Sequence, residues 1–285
     1  MTQEGFDLPD YRRGEPLHES SASAVYRAQR LSDGRDVVIK QTRAGASGAA
    51  VTRCQNEYEL LRSLDIPGVV KAYDFVRHEG TVALVLESLS GSSLHQWIES
   101  TPGAGVRERL EIAAKLAKIV GDVHAARVIH KDVSSYNVVY DRATRVLKLV
   151  DFGIATRLRS EENKFQAPTA LEGTLAYMAP EQTGRMNRNL DYRADLYSLG
   201  ATLYELFTSR LPHATDDPLE MVHFHIAVKP VPPSARQGEV PEAVSAIIMK
   251  LLEKEPEARY QNATGVAADL EMCLATLTAG RRLPS

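Results

Sequence analysis

The stretch VIHKDVSSYNVVYDRATRVLKLVDFGIAT, residues 128–156, decides the fold. Polar groups of chemical use sit in it between apolar runs. Val128-Ile129 and Val138-Val139 hem in a short loop that carries His130, Lys131, Asp132 and Asn137. Two short strands are predicted, Val138 to Tyr140 and Val146 to Val150, and the second delivers Asp151 at its end. A carboxylate at a strand end suits a hard cation, which takes oxygen ligands, and the amide oxygen of Asn137 would be a second donor. Taken singly, each Asp or Asn reads equally as a turn or capping residue.

Outward from this stretch the two flanks differ. Upstream, strands are predicted at Tyr11 to Glu19, Ala24 to Arg30 and Asp36 to Lys40, then a helix at Val51 to Leu64, then strands at Val69 to Val76 and Thr81 to Glu87. The run TVALVLE, residues 81–87, is nearly all apolar, as a strand buried on both faces would be. From Leu94 on, the period changes to that of helices: Leu94 to Ser100, Val106 to Arg127, Arg193 to Thr208, Leu219 to Val228, Glu242 to Glu253 and Ala263 to Leu277. Leu110, Ala113, Ala117, Val120 and His124 recur at steps of three and four on the longest of these. The expected class is α+β with two lobes: a small antiparallel sheet with one helix over residues 1–89, and a larger, mainly helical lobe over 90–278. Residues 279–285 read as the start of a linker. A crevice between two lobes is a usual place for a ligand.

Composition narrows the choice of function. The formal charge is −3, and Lys and Arg are interspersed with acids, so no nucleic-acid surface is expected. Two cysteines, Cys54 and Cys273, lie far apart and outside any metal-like spacing, which fits a reduced, cytoplasmic setting. The start is acidic and polar rather than that of a signal peptide. The apolar runs are too short to insert in a membrane.

In the helix predicted at residues 51–64, Cys54, Glu57, Leu61 and Leu64 share one stripe. Glu57 therefore points toward the core, where a lone carboxylate costs several kcal/mol, about 2 or more, unless a cation meets it. Lys40, at the end of the third strand, is the nearest candidate. In order along the chain, VVIK (Val37 to Lys40), Glu57, HKDVSSYN (His130 to Asn137), DFG (Asp151 to Gly153) and APE (Ala179 to Glu181) resemble the signature set of protein kinases. GTLAYMAPEQ (Gly173 to Gln182) is similar to the substrate-facing segment of the serine/threonine group of eukaryotic-like (Hanks-type) kinases. DLYSLG (Asp195 to Gly200) is similar to a helix of that fold, and Arg259 stands where the family keeps a partner for the Glu of APE, here Glu181. The resemblance covers residues 11–277. The wording is closest to kinase domains that begin large bacterial signalling proteins, ahead of an ATPase module and a sensor histidine kinase.

The resemblance implies ATP and Mg²⁺ as cofactors, a protein substrate, and roles residue by residue. Asp132, Lys40 and Asn137 would be catalytic: Asp132 orients the attacking hydroxyl, Lys40 holds the α- and β-phosphates, and Glu57 holds Lys40. Asn137 and Asp151 would bind the metal. Val25 and Val38 would roof the adenine, Val139 would floor it, and Leu86 would guard its back. The backbone of Glu87 and Leu89 would bond its edge. Thr174 would contact Asp132, and His124 and His130 would be structural.

Three departures from the family's pattern stand out. The glycine-rich loop is replaced by a hairpin whose glycine positions read His18, Ser20 and Ser23. Ser20 and Ser23 keep it small enough for phosphates to approach, and their hydroxyls add donors. Ser134 stands where a lysine would reach the γ-phosphate. Lys131 replaces an arginine that grips a phosphorylated loop, so activity is expected to depend weakly on phosphorylation of Ser160 or Thr169. Three functions stay open: an active Ser/Thr kinase in bacterial signal transduction, a pseudokinase that binds nucleotide and regulates downstream domains, and a small-molecule phosphotransferase. GTLAYMAPE (Gly173 to Glu181) argues against the third, because it resembles a segment that shapes a peptide site.

Overall fold

The computed structural model describes residues 8–20, 23–43, 45–78, 80–158, 173–185 and 188–279. The hairpin tip at Ser21 and Ala22, the expected phosphosites Ser160 and Thr169, and residues 280–285 of the expected linker lie outside the described residues. The chain forms two compact units, residues 1–90 and 91–285.

The first unit is a five-stranded antiparallel sheet with one helix. Its strands are β1 (Tyr11–Glu19), β2 (Ser23–Arg30), β3 (Asp36–Thr42), β4 (Ala72–His78) and β5 (Thr81–Glu87), ordered β1-β2-β3-β5-β4. Alternation along the strands sorts their side chains. Tyr26, Val37, Ile39, Ala83 and Val85 form a core on one face with Leu8 and Tyr11. Each buried aliphatic or aromatic side chain there contributes roughly 1.5–3 kcal/mol relative to exposure. The opposite face is set by register: Val25 pairs with Lys40, Lys40 with Leu84, and Val38 with Leu86. Every residue of β5 before Glu87 is buried, as its apolar run predicts.

Helix α1 (Gly48–Arg62) packs on β4 and β5. It begins three residues before the expected Val51, because the Ser47 hydroxyl caps it by accepting the Ala50 N–H at 3.3 Å. Strand β4 starts later than expected. Val69 and Val70 are buried, but the Val69 N–H is turned back to the Ile66 carbonyl at 2.9 Å, so pairing begins only at Ala72.

The second unit is helical with two small ribbons. Strands β6 (Ser92–Ser93), β8 (Val138–Asp141) and β9 (Val146–Leu149) form one, and β7 (Val128–Ile129) pairs with β10 (Thr156–Arg157) in the other. The helices are α2 (Leu94–Ser100), α3 (Val106–Ala125), α4 (Arg193–Thr208), α5 (Pro218–Ala227), α6 (Pro233–Arg236), α7 (Glu242–Leu251) and α8 (Ala263–Thr278). A reciprocal cap starts α2: the Gln96 N–H donates to Ser93 Oγ, and the Ser93 N–H to Gln96 Oε1, both at 3.2 Å. Of the stripe of α3 read from its spacing, Leu110, Ala113, Ala117 and Val120 are buried and His124 is half-buried, and the helix packs on α4 and α8. All of α4 after its first residue is buried. Gly200 lets α4 approach α7, since a Cβ there would stand 2.7 Å from Leu251 Cβ.

Candidate active site

In the first unit, β3 and α1 bring Lys40 to Glu57. Lys40 Nζ lies 3.0 Å from Glu57 Oε2 and 3.2 Å from Oε1. The carboxylate is 2% exposed, so the cation offsets a desolvation that would otherwise expel it. The pair is felt locally: burial first, then the Glu57 carboxylate, push the Cys54 thiol up to about 11. Val25 and Val38, on the face that carries Lys40, are half-buried, while Leu86 is buried. At the end of β5 the Glu87 N–H donates to the Lys71 carbonyl at 2.8 Å, and Leu89 is half-buried.

The hairpin that replaces a glycine-rich loop closes on serine chemistry. The Ser20 N–H donates to the Ser23 carbonyl at 2.9 Å, and the Ser23 N–H donates to Ser20 Oγ at 3.1 Å. Arg43 reaches back from the end of β3 to the Ser20 carbonyl and to Glu19, both at 3.3 Å. The Ser20 hydroxyl and the Ser23 amide are thus engaged within the turn, a use the sequence does not announce.

The second unit holds Asp132, Asn137, Val139 and Asp151. Asp132 is fixed from two sides. Its Oδ1 accepts the Thr174 N–H at 2.7 Å, and its Oδ2 accepts Asn137 Nδ2 at 2.8 Å. Thr174 therefore meets Asp132 through its backbone amide. Asn137 Nδ2 also donates to the Asp132 carbonyl at 2.9 Å. Both partners are acceptors, so the amide's orientation is settled and Oδ1 turns the other way. Gly173 makes the close approach possible. It has φ +105°, and a Cβ would stand 3.3 Å from Asp132 Oδ1. Asp151 is exposed at φ +59°, and its Oδ1 accepts the Gly153 N–H at 3.2 Å. Val139, on β8, is half-buried.

His130 and His124 are structural. His130 Nε2 meets the Val150 carbonyl at 3.2 Å, and its Nδ1 accepts the Asp132 N–H at 3.3 Å. Its ring stands edge-on to Phe152, with centroids 4.5 Å apart. Beneath the loop lies Asp195, wholly buried. One oxygen accepts the Lys131 N–H at 2.7 Å, and the other takes the His130 N–H at 2.8 Å and His124 Nε2 at 2.9 Å. Burial pushes the Asp195 carboxyl up. The His124 hydrogen bond and the nearby histidine and amide groups outweigh it, and its pKa falls below the ordinary value.

Sequence reasoning missed what Asp195 does. The signal was there: Asp195, Ser198, Thr202 and Glu205 form a polar stripe at helical spacing on an otherwise apolar helix. Thr202 Oγ1 lies 2.9 Å from the Ser198 carbonyl of its own helix and 3.3 Å from the Val133 carbonyl. Glu205 accepts the Tyr177 hydroxyl at 2.6 Å and meets His95 Nδ1 at 2.9 Å. Tyr177 in turn bonds Ser135 Oγ at 2.9 Å. The stripe thus braces the Asp132 loop and the segment around Tyr177 together.

Two further motifs meet as a buried pair. Arg259 Nη1 and Nη2 clasp Glu181 Oε1 and Oε2 at 2.6 and 2.9 Å. The guanidinium also donates to the carbonyls of Glu253, Arg193 and Lys254 at 2.8–2.9 Å, so all five N–H groups are used. Ser134 is the exception to this economy. Its side chain is fully buried, and its Oγ has no partner among the described residues.

The protein kinase domain profile matches residues 11–269. Serine/threonine-protein kinase PknB of Mycolicibacterium smegmatis is 33% identical over 266 residues, covering 91% of this chain and 42% of the relative. PknB of Mycobacterium tuberculosis is 32% identical with the same coverage. A probable serine/threonine-protein kinase of Streptomyces coelicolor is 31% identical over 270 residues, 93% of this chain and 40% of the relative. The chain thus spans about 42% of the length of PknB. With the ordered motifs, the clasped Lys40–Glu57 and Arg259–Glu181 pairs and the profile match in agreement, this chain belongs to the protein kinase domain family.

Proposed function

We propose that the chain transfers the γ-phosphoryl group of ATP to Ser or Thr hydroxyls of a protein. The observation that carries this reading is the carboxylate of Asp132, oriented on both oxygens by Asn137 and the Thr174 amide. A carboxylate held in that way positions an attacking hydroxyl and takes up its proton. From the first unit, Lys40 holds phosphate oxygens and Glu57 fixes Lys40. Val25, Val38, Leu86 and the Glu87–Leu89 backbone recognise the base, and Ser20 and Ser23 shape the phosphate side. From the second unit, Val139 packs on the base. Asn137 Oδ1 and the exposed Asp151 supply two oxygen donors for Mg²⁺, which takes few protein ligands and completes its shell with phosphates and water. Bound there, Mg²⁺ would neutralise charge on the phosphates. The segment Gly173 to Gln182 shapes the peptide site.

PknB is named a serine/threonine kinase, which supports the choice of acceptor. Among the described residues no helix is long and apolar enough to cross a membrane. A cytoplasmic site of action, and downstream ATPase and histidine kinase domains in a longer parent chain, are part of the same proposal. The test is radiolabelled ATP with casein, wild type beside Asp132→Asn. Transfer by the wild type that is lost in the mutant is expected; transfer kept in a folded mutant refutes the assignment. The inward Ser134 and the engaged Ser23 amide favour a second reading, a nucleotide-binding module without transfer. Mg-ATP binding by a wild type that transfers nothing would select it.

A further inference from the structure

The residues Thr174 to Tyr177 are tied down at three points. Asp132 holds the Thr174 amide, and Glu205 holds the Tyr177 hydroxyl. The third tie comes from α5, outside the catalytic loop and the polar stripe of α4. His225 Nε2 lies 2.8 Å from the Leu175 carbonyl. Its other nitrogen, Nδ1, lies 3.1 Å from the Tyr197 hydroxyl, and Lys254 Nζ lies 3.3 Å from that hydroxyl and 3.0 Å from the Phe224 carbonyl.

These contacts fix the proton at Nε2. A carbonyl only accepts, so Nε2 carries the hydrogen. An ammonium only donates, so the tyrosine oxygen accepts from Lys254, and towards a neutral imidazole its own proton goes to Nδ1. Burial favours the neutral imidazole, pushing its pKa down to about 4, and both ring nitrogens are used. The ring is 1% exposed, so neither bond is exchangeable for water without opening the site.

We propose that His225 is a positioning residue for the protein substrate: its Nε2–H latches the Leu175 carbonyl and so fixes the segment that shapes the peptide site. This rests on the kinase reading above. A histidine that merely fills the core would tolerate any side chain of similar volume. A latch requires the donor at Nε2.

Two amides separate these roles. His225→Gln keeps a donor near the place of Nε2. His225→Asn keeps polar groups near Nδ1 and withdraws the donor from Leu175. The expected result for His225→Asn is a KM for casein raised about tenfold, the scale of one buried hydrogen bond, with the KM for ATP unchanged. Hydrogen exchange of the backbone over residues 173–178 should be faster in this variant. His225→Gln should restore both readouts toward wild type. Tyr197→Phe, which removes only the hydroxyl that orients the ring, should shift both in the same sense and less, and it decides the matter if His225→Asn does not fold. Equal behaviour of the two amides, a rise in both KM values, or unchanged exchange in Tyr197→Phe where His225→Asn is unfolded would overturn the latch. If the wild type transfers nothing to casein, the kinase reading fails, while the exchange data still accept or reject the latch.

Discussion

Glu57 in the first unit and Asp195 in the second are both buried carboxylates, yet they are held by different means. Glu57 faces a flexible cation, Lys40, whose side chain keeps about a fifth of its surface in solvent (21%). Asp195 receives two backbone amides and an imidazole, none of which can turn away. The first arrangement, the Lys40–Glu57 contact, is an adjustable joint between a strand and a helix. The second is an overdetermined cradle under the loop of Asp132. In the proposed reaction, a group that only grips phosphates tolerates slack better than one that must aim at a hydroxyl, where misplacement lowers the rate steeply.

The contrast can be broken at several points. The largest effect is expected from Arg259→Ala, which leaves the Glu181 carboxylate buried and unpaired. It should cost about 3–5 kcal/mol in urea unfolding. A loss below 1 kcal/mol would mean that water enters this part of the second unit.

Asp195→Asn should come next, at about 1.5–3 kcal/mol, the worth of a hydrogen bond to a charged acceptor. Transfer should fall with it, because the amides it holds belong to His130 and Lys131, beside Asp132. In the first unit the matching change, Glu57→Gln, should cost no more than about 1 kcal/mol of stability, since Lys40 can turn to water. Its transfer rate should still drop. If Glu57→Gln proves the more destabilising of the two, the distinction between joint and cradle is wrong.

A smaller effect concerns pH. Burial is the main cause that lowers His225 and His213 from 6.5 to about 4. The unfolded chain takes up these protons at the ordinary value, and the folded one resists until near 4. Stability is therefore complete above about 6.5 and declines as pH falls toward 4. Melting temperatures across that window should fall more for wild type than for His225→Gln; parallel curves would remove His225 as a source. The smallest effect is expected at Ser134. Its hydroxyl has no partner among the described residues, so Ser134→Ala should leave transfer unchanged and alter stability by less than about 1 kcal/mol.

Periodicity made much of this architecture legible. The apolar run of β5 and the stripe of α3 needed only spacing to be read, and the Lys40–Glu57 pair followed from asking what a core-facing carboxylate requires. Strands of two residues, such as β6, β7 and β10, have no period to detect, and only a partner far along the chain defines them. The direction of Ser134 was illegible for a related reason. A sequence shows that a lysine is missing, but not that the serine in its place turns inward. Asp195 could have been found, because four polar residues at helical spacing on an apolar helix must face something polar.

Lys131 and Asp151 both sit at left-handed backbone angles, φ +69° and +59°, where a side chain costs roughly 1–2 kcal/mol. Glycine would relieve that strain at either position, offset in part by the greater freedom it gives the unfolded chain. Thermostability screens of this domain should therefore collect variants at these two positions. A hit at Asp151 would enrich heat-resistant molecules stripped of the metal ligand proposed above, so selection on heat alone would trade catalyst for scaffold.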